Sequence, residues 1–179
     1  MSRVPELRTE RLLMRGWLDD DLDWFGRMMG DPAVAAPLGH DGPVDPPQAW
    51  RDMAFLAGHW ALKGYGHWVL ERLDTGECVG RAGLLRPEGW PDLEVGWTIA
   101  REHWGNGYAP EAARAACRYA HDELGAPHIV SLIEPSNRNS IRVADKLGER
   151  LEGHHQTRGF DLLVYGCDLP LRAAGTGGA

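Results

Sequence analysis

Long apolar runs are missing from this chain. None approaches the roughly 18–20 residues of a membrane-spanning helix, and the amino-terminal MSRVPELRTERL carries no apolar signal core. Those absences exclude a helical span and point to a cytoplasmic setting. Cysteine is scarce: Cys78, Cys117 and Cys167 are an odd number without C-x-x-C spacing, which fits reduced thiols. A basic excess is also absent. The 26 acidic residues against 19 basic ones give a net charge of -7 and argue against a nucleic-acid backbone as partner. No helical H-x-x-x-H and no Cys/His zinc spacing occurs, so the eight histidines read as packing or surface residues and no metal is expected. Internal repeats and linkers are lacking too, and residues 1–170 read as one domain followed by a flexible tail, 171–179.

What remains is a patterned globular sequence. Arg8–Arg15 reads as an opening strand, and Asp19–Asp31 as a short helix with acids at its start. Residues 32–44 read as a loop. Asp45 can cap a second helix with Pro46 at its first position. Trp50, Met53, Ala54, Ala57, Trp60 and Ala61 recur there at helical spacing and predict its buried face. His67–Arg72 and Cys78–Leu85 are strand-like around an Asp74–Glu77 turn. Along Asp92–Ile99, Leu93, Val95, Trp97 and Ile99 face one way, and Asp92, Glu94, Gly96 and Thr98 the other. A helix follows over Pro110–Leu124, its stripe being Ala113, Ala116, Cys117, Ala120 and Leu124. Then come a strand, His128–Ile133, and a helix capped by Asn137 and stopped by Gly148. A closing hairpin, Leu151–Thr157 and Phe160–Asp168, turns at Arg158-Gly159. This order predicts a mixed α/β domain around one sheet.

Between strand and helix lies His103-Trp104-Gly105-Asn106-Gly107-Tyr108-Ala109-Pro110. A glycine-bearing loop entering a helix turns N–H groups toward one point, and the helix start adds partial positive charge. An anion of phosphate size suits that point. The dinucleotide fingerprint lacks its third glycine here, and a P-loop would need Gly-Lys-Ser/Thr. A plain connection whose glycines only permit a tight turn is the competing structural account.

The segment LEVGWTIAREHWGNGYAPEAARAACRYAHDELG, followed by EPSNRNSIRVADKLG, closely resembles the GNAT superfamily of N-acetyltransferases. The branch it looks most like contains the ribosomal-protein N-terminal acetyltransferases. TERLLMR and GYGHWVLERLDTGECVGRAGL resemble that branch too, so the likeness runs over roughly residues 7–169. It implies a GNAT-like fold: a mostly antiparallel twisted sheet of six to seven strands, two splayed parallel central strands and about four helices. It further implies that N–H groups of Trp104, Gly105, Asn106, Gly107, Tyr108 and Ala109 hold the pyrophosphate of acetyl-CoA, without a lysine. Thr98 and Ile99 would give groups to the pantetheine arm, and Asn137 and Ser140 would line it. Asn137 also reads as an N-cap and Ser140 as the residue that bonds back to it.

Acetylating an amine requires removal of a proton, a donor for the developing oxyanion and a stabilised leaving thiolate. The resemblance makes Glu94 the candidate base; its plain alternative is a solvent-facing strand carboxylate. Ala144 stands near the position where other relatives carry an acidic tyrosine, so Ser140 is the candidate acid. Residues 154–160 hold no carboxylate, leaving His154 or His155, of which one at most points inward. By the resemblance, His67 and Trp68 would border the acceptor cleft, and Trp50 and Trp60 either border it too or pack in the core. The acceptor is a protein N-terminus or a small amine, and a homodimer is compatible with the resemblance. The alternative function is a non-catalytic acyl-CoA sensor of the same fold.

Overall fold

The computed structural model describes residues 4–157 and 159–171. The opening strand is two short ones, β1 (Leu7–Arg8) and β2 (Leu12–Arg15), paired antiparallel with Leu7 opposite Met14. The break falls at Thr9, whose N–H donates to the Leu12 carbonyl at 2.9 Å while its hydroxyl oxygen accepts from the Leu12 N–H at 3.0 Å. A 3₁₀ turn over Asp19–Asp21 leads into α1 (Leu22–Met29). Residues 32–44 are not wholly loop. Helix α1 ends at Met29, just before Asp31-Pro32, and Asp31 then accepts from the Ala33 N–H and caps a new short helix, α2 (Pro32–Ala35), with proline at its first position.

Helix α3 (Pro46–Lys63) starts as expected, with Asp45 accepting from Gln48 N–H at 2.8 Å, and ends at Gly64. Its buried face is rotated from the predicted one. Ala49, Met53, Leu56, His59 and Trp60 point inward, while Trp50 is 53% exposed. Then come β3 (His67–Arg72), β4 (Cys78–Leu85) and β5 (Glu94–Ile99). Helix α4 spans Tyr108–Asp122, two residues ahead of the Pro110 start expected, so Leu124 lies beyond its end. β6 (His128–Ile133), α5 (Arg138–Leu147), β7 (Arg150–Thr157) and β8 (Phe160–Asp168) complete the chain. Of the Arg158-Gly159 turn, residue 158 lies outside the described residues, as does the expected tail beyond 171.

Among the described residues the sheet has eight strands in the order β1-β2-β3-β4-β5-β6-β8-β7, more than the six or seven expected, and five α-helices flank it. All neighbours are antiparallel except β5 and β6. Two cores form. On one face α4 presents Ala112, Ala113, Ala116, Cys117 and Ala120 to Val95, Ile99 and Ile129; small side chains let it approach closely. On the other, α1, α2 and α3 pack Phe25, Met29, Val34 and Met53 around Leu85. No described helix is long and apolar enough to cross a membrane.

Strand packing is tight at Gly80 in β4. A Cβ there would stand 2.3 Å from the Thr98 carbonyl oxygen and 2.9 Å from Ile99 Cα, both main chain that cannot yield locally. Gly80→Ala is expected to lower unfolding free energy by about 1–3 kcal/mol. Urea denaturation followed by fluorescence measures this, and an unchanged midpoint would contradict the packing described.

Candidate active site

β5 organises the site because its two faces and its two edges do different work. Val95 and Ile99 sink into the α4 core, whereas Glu94, Gly96 and Thr98 line a cleft beneath α1–α3. In an antiparallel ladder, main-chain groups alternate between partner strand and open edge. Ala100 N–H donates to Val79 carbonyl, so the same parity turns Thr98, Gly96 and Glu94 toward β4. Val95, Trp97 and Ile99 therefore turn their main-chain groups toward β6.

β6 meets them at one register pair only, Glu94 with Val130, where Val130 N–H donates to Leu93 carbonyl at 2.9 Å. Beyond it the strands part. Ser131 hydroxyl lies 2.9 Å from Val95 carbonyl, and Trp104 indole N–H donates to Ile99 carbonyl at 2.7 Å. A cavity of about 510 Å³ opens there, lined by Trp97, Thr98 and Ile99, by the glycine loop and by α5.

The loop reaches that cavity through Gly105 and Gly107, whose φ values of 82° and 81° suit glycine. Gly107 is the residue that caps α4, and no side chain caps that helix. Among the described residues nothing accepts from the N–H groups of Gly105 to Ala109. Asn106 behaves differently from its neighbours. Its amide donates to His103 carbonyl, and its own carbonyl accepts from Arg11 Nη1 at 2.9 Å, so only its N–H is left for a ligand. Arg11 is held by Glu111 through bonds of 2.6 and 2.8 Å and lies 4.9 Å over the Tyr108 ring. Burial would raise the Glu111 carboxyl, but hydrogen bonds from Thr9 and Arg11 outweigh it and hold it below the ordinary range. Sequence reading missed this clamp, because Arg11 is about 95 residues away from the loop it fixes. It missed the cations as well: Arg138, Arg142 and Lys146 line the cavity from α5.

A second cavity of about 390 Å³ lies beside the first, floored by His67, Arg81, Glu94 and Gly96 and roofed by Phe25, Asp52, Phe55 and Phe160. The two share Pro37, Leu38, Trp97, Thr98, Asn137 and Ser140. Asn137 Oδ1 accepts from Ser140 N–H at 3.1 Å, and Thr98 Oγ1 is buried without a partner. Burial raises the Glu94 carboxyl above its ordinary value. The Trp90 indole N–H donating to it, Arg81 and the Leu132 N–H offset part of that.

His67 faces this floor at 1% exposure. Arg81 Nη1 donates to its Nδ1 at 2.8 Å, which places the ring proton on Nε2. A side chain on Gly96 would fall 3.3 Å from that Nε2 and 3.5 Å from Glu94 Oε1, so the two groups flank one small space. Burial, then Arg81 and His59, depress the His67 pKa well below 6.5. Trp68 does not border the cleft. It is fully buried on the opposite face, 4.9 Å from Trp60 and 5.2 Å from Tyr119, because adjacent strand residues point opposite ways. Trp60 belongs to that core too, and Trp50 is on the surface. His155 turns inward toward Trp90, and His154 is exposed beside Asp161.

Residues 11–150 match the family of acetyltransferase (GNAT) domains. The uncharacterized protein YkkB of Bacillus subtilis strain 168 is 37% identical over 156 residues, covering 83% of this chain and 87% of the relative. The uncharacterized N-acetyltransferase p20 of Bacillus licheniformis is 30% identical over 152 residues, covering 84% and 85%. A crystal structure of the acetyltransferase from Agrobacterium tumefaciens C58 superposes with a TM-score of 0.83 at 33% identity, over 93% of this chain and 96% of that one. The chain belongs to the GNAT acetyltransferase family and is an enzyme of that class.

The neutral state of His67 is open to direct measurement. Its ring is expected to remain uncharged, protonated on Nε2, through the range around 6.5 where an exposed histidine titrates. Nitrogen-detected NMR from pH 7.5 down to 5.5 reads this, and a normal titration would place the ring in solvent.

Proposed function

We propose that this chain is an acetyl-CoA-dependent N-acetyltransferase that acetylates a primary amine by direct attack. One observation carries the reading: a cavity built of free N–H groups and cations meets, at Thr98, Asn137 and Ser140, a cleft holding the half-buried Glu94 carboxyl. When bound, acetyl-CoA supplies an acetyl group activated as a thioester. The Trp104 N–H already donates to the Arg101 carbonyl, so the N–H groups of Gly105 to Ala109 and the side chains of Arg138, Arg142 and Lys146 would hold its phosphates. Each N–H to a charged acceptor contributes roughly 1.5–3 kcal/mol. Main-chain groups of Trp97 and the orphaned Thr98 hydroxyl suit the arm between the strands.

Glu94 accepts the proton of the incoming amine. Its raised pKa suits that task, since a base works best near the operating pH. Ser140 stands at the junction of the cavities as the group that returns a proton to the leaving side. The acceptor cleft combines Asp52, Glu94 and Glu134 with Phe55, Trp90 and Phe160, a lining that favours a cationic amine attached to an apolar body.

Release of free thiol in the presence of a panel of peptides and small amines tests the reading. Glu94→Gln should lower kcat by about 100-fold or more with donor binding retained. An unchanged rate removes Glu94 from the mechanism. The wild-type rate should fall as pH drops through the Glu94 pKa, at a pH above the ordinary carboxylate value near ~4.3. Donor binding with no thiol release on any amine would favour the sensor instead.

A further inference from the structure

Glu149 closes α5 against β7 and is one of the few acids buried in this protein, at 3% exposure. Among the described residues it has no ion pair. Its one side-chain partner is Ser131, whose Oγ lies 3.1 Å from Glu149 Oε1 and 2.9 Å from Val95 carbonyl oxygen. A serine hydroxyl has a single hydrogen, and a carbonyl oxygen only accepts. The serine proton therefore goes to Val95. The contact with Glu149 is then a hydrogen bond only if the carboxyl itself carries a proton and donates to Ser131 Oγ.

This chain of two donors sits where β5 and β6 separate. One step earlier the ladder is intact through Val130 N–H and Leu93 carbonyl. At Val95 the carbonyl that faces β6 is occupied by the Ser131 side chain, so β6 does not close on it. We propose that Glu149 is a positioning residue: as a neutral acid it directs the Ser131 proton to Val95 and holds open the gap that receives the acyl donor. The role rests on the donor reading given above.

The surroundings support a proton there. The titratable groups facing Glu149 are Glu94 from β5, Glu152 from β7, Cys117 from α4 and Cys167 from β8, none of them a cation. Arg114 and Arg118 act on the Cys117 thiol. Burial, with Glu94 and Glu152 adding to it, pushes the carboxyl up to about 8 even with the Ser131 hydroxyl turned to donate to it, the arrangement that most favours the charged form. Above that pH the carboxylate draws the serine proton to itself and leaves Val95 free to pair with β6.

Calorimetric titration of acetyl-CoA into the full-length protein at pH 7 and pH 9 tests this. Wild type should bind roughly 5- to 10-fold more weakly at pH 9, the loss of about one hydrogen bond. Glu149→Gln, whose amide donates at every pH, should change by about twofold or less over the same interval. Glu149→Ala should be weak at both. Parallel pH dependence in wild type and Glu149→Gln would overturn the role while leaving the donor reading intact. Absence of any binding at pH 7 would sink the donor reading and the positioning role with it. Thermal unfolding gives a readout independent of the ligand. A carboxyl whose folded pKa lies above its unfolded one loses stability as pH rises from about 4.5 to 8. Wild type should thus lose melting temperature relative to Glu149→Gln across that window, and a constant difference would show that the proton is not held.

Discussion

Two parallel strands that remain paired leave no space between them, because neighbouring backbones lie only about 4.8 Å apart. In this protein β5 and β6 share one register pair and then diverge, and the site depends on that divergence. It exposes the main-chain groups of Trp97, opens the cavity beside Thr98, and sets Glu94 at the floor of the adjoining cleft. Unpaired backbone at the centre of a sheet is costly, so the edge is partly satisfied by side chains. Ser131 takes Val95 and the Trp104 indole takes Ile99. What is left between these two is the stretch a ligand can use.

The glycine loop needs a comparable arrangement. Residues in left-handed conformations at 105 and 107 give the chain its bend, but glycines alone would leave that bend loose. Arg11 removes the looseness by gripping the Asn106 carbonyl while Glu111, on the first turn of α4, grips Arg11. The opening β-hairpin thus helps to set the geometry of a loop that follows β5, three strands away in the sheet order. Glu111 also sets a negative charge near the helix start, yet Arg11 neutralises it, so the N–H groups keep their attraction for an anion.

Much of this was legible in the sequence where local chemistry decides. The Asn137 cap, the Gly148 stop, the alternation along β5 and the glycine loop all follow from residue type and spacing. The failures share a cause. Trp68 and Trp50 were placed by their neighbourhood in the chain, but strand parity buries the first and the rotation of α3 exposes the second. A helical wheel drawn over alanines is ambiguous, since alanine is tolerated on either face. The Arg11 clamp, the α5 cations beside the loop and the Ser131–Glu149 pair join residues distant in sequence, and no periodicity encodes them.

Two carboxyls, the half-buried Glu94 and the buried Glu149, lie on opposite faces of the same divergence, and their surroundings favour different states. Glu94 accepts an indole N–H and has Arg81 and the Leu132 N–H nearby, so its ionised form has donors waiting. Glu149 has one hydroxyl, whose proton is already committed to a carbonyl. Each also raises the other's cost of ionising, as like charges sharing a low-dielectric region do, and Glu94 is among the groups acting on Glu149. The first proton to leave the pair is therefore taken from the side with donors. On the proposed reading, a base facing the acceptor cleft and a neutral acid bracing the strand behind it come from the same residue type, separated by which face of the sheet supplies hydrogen-bond donors.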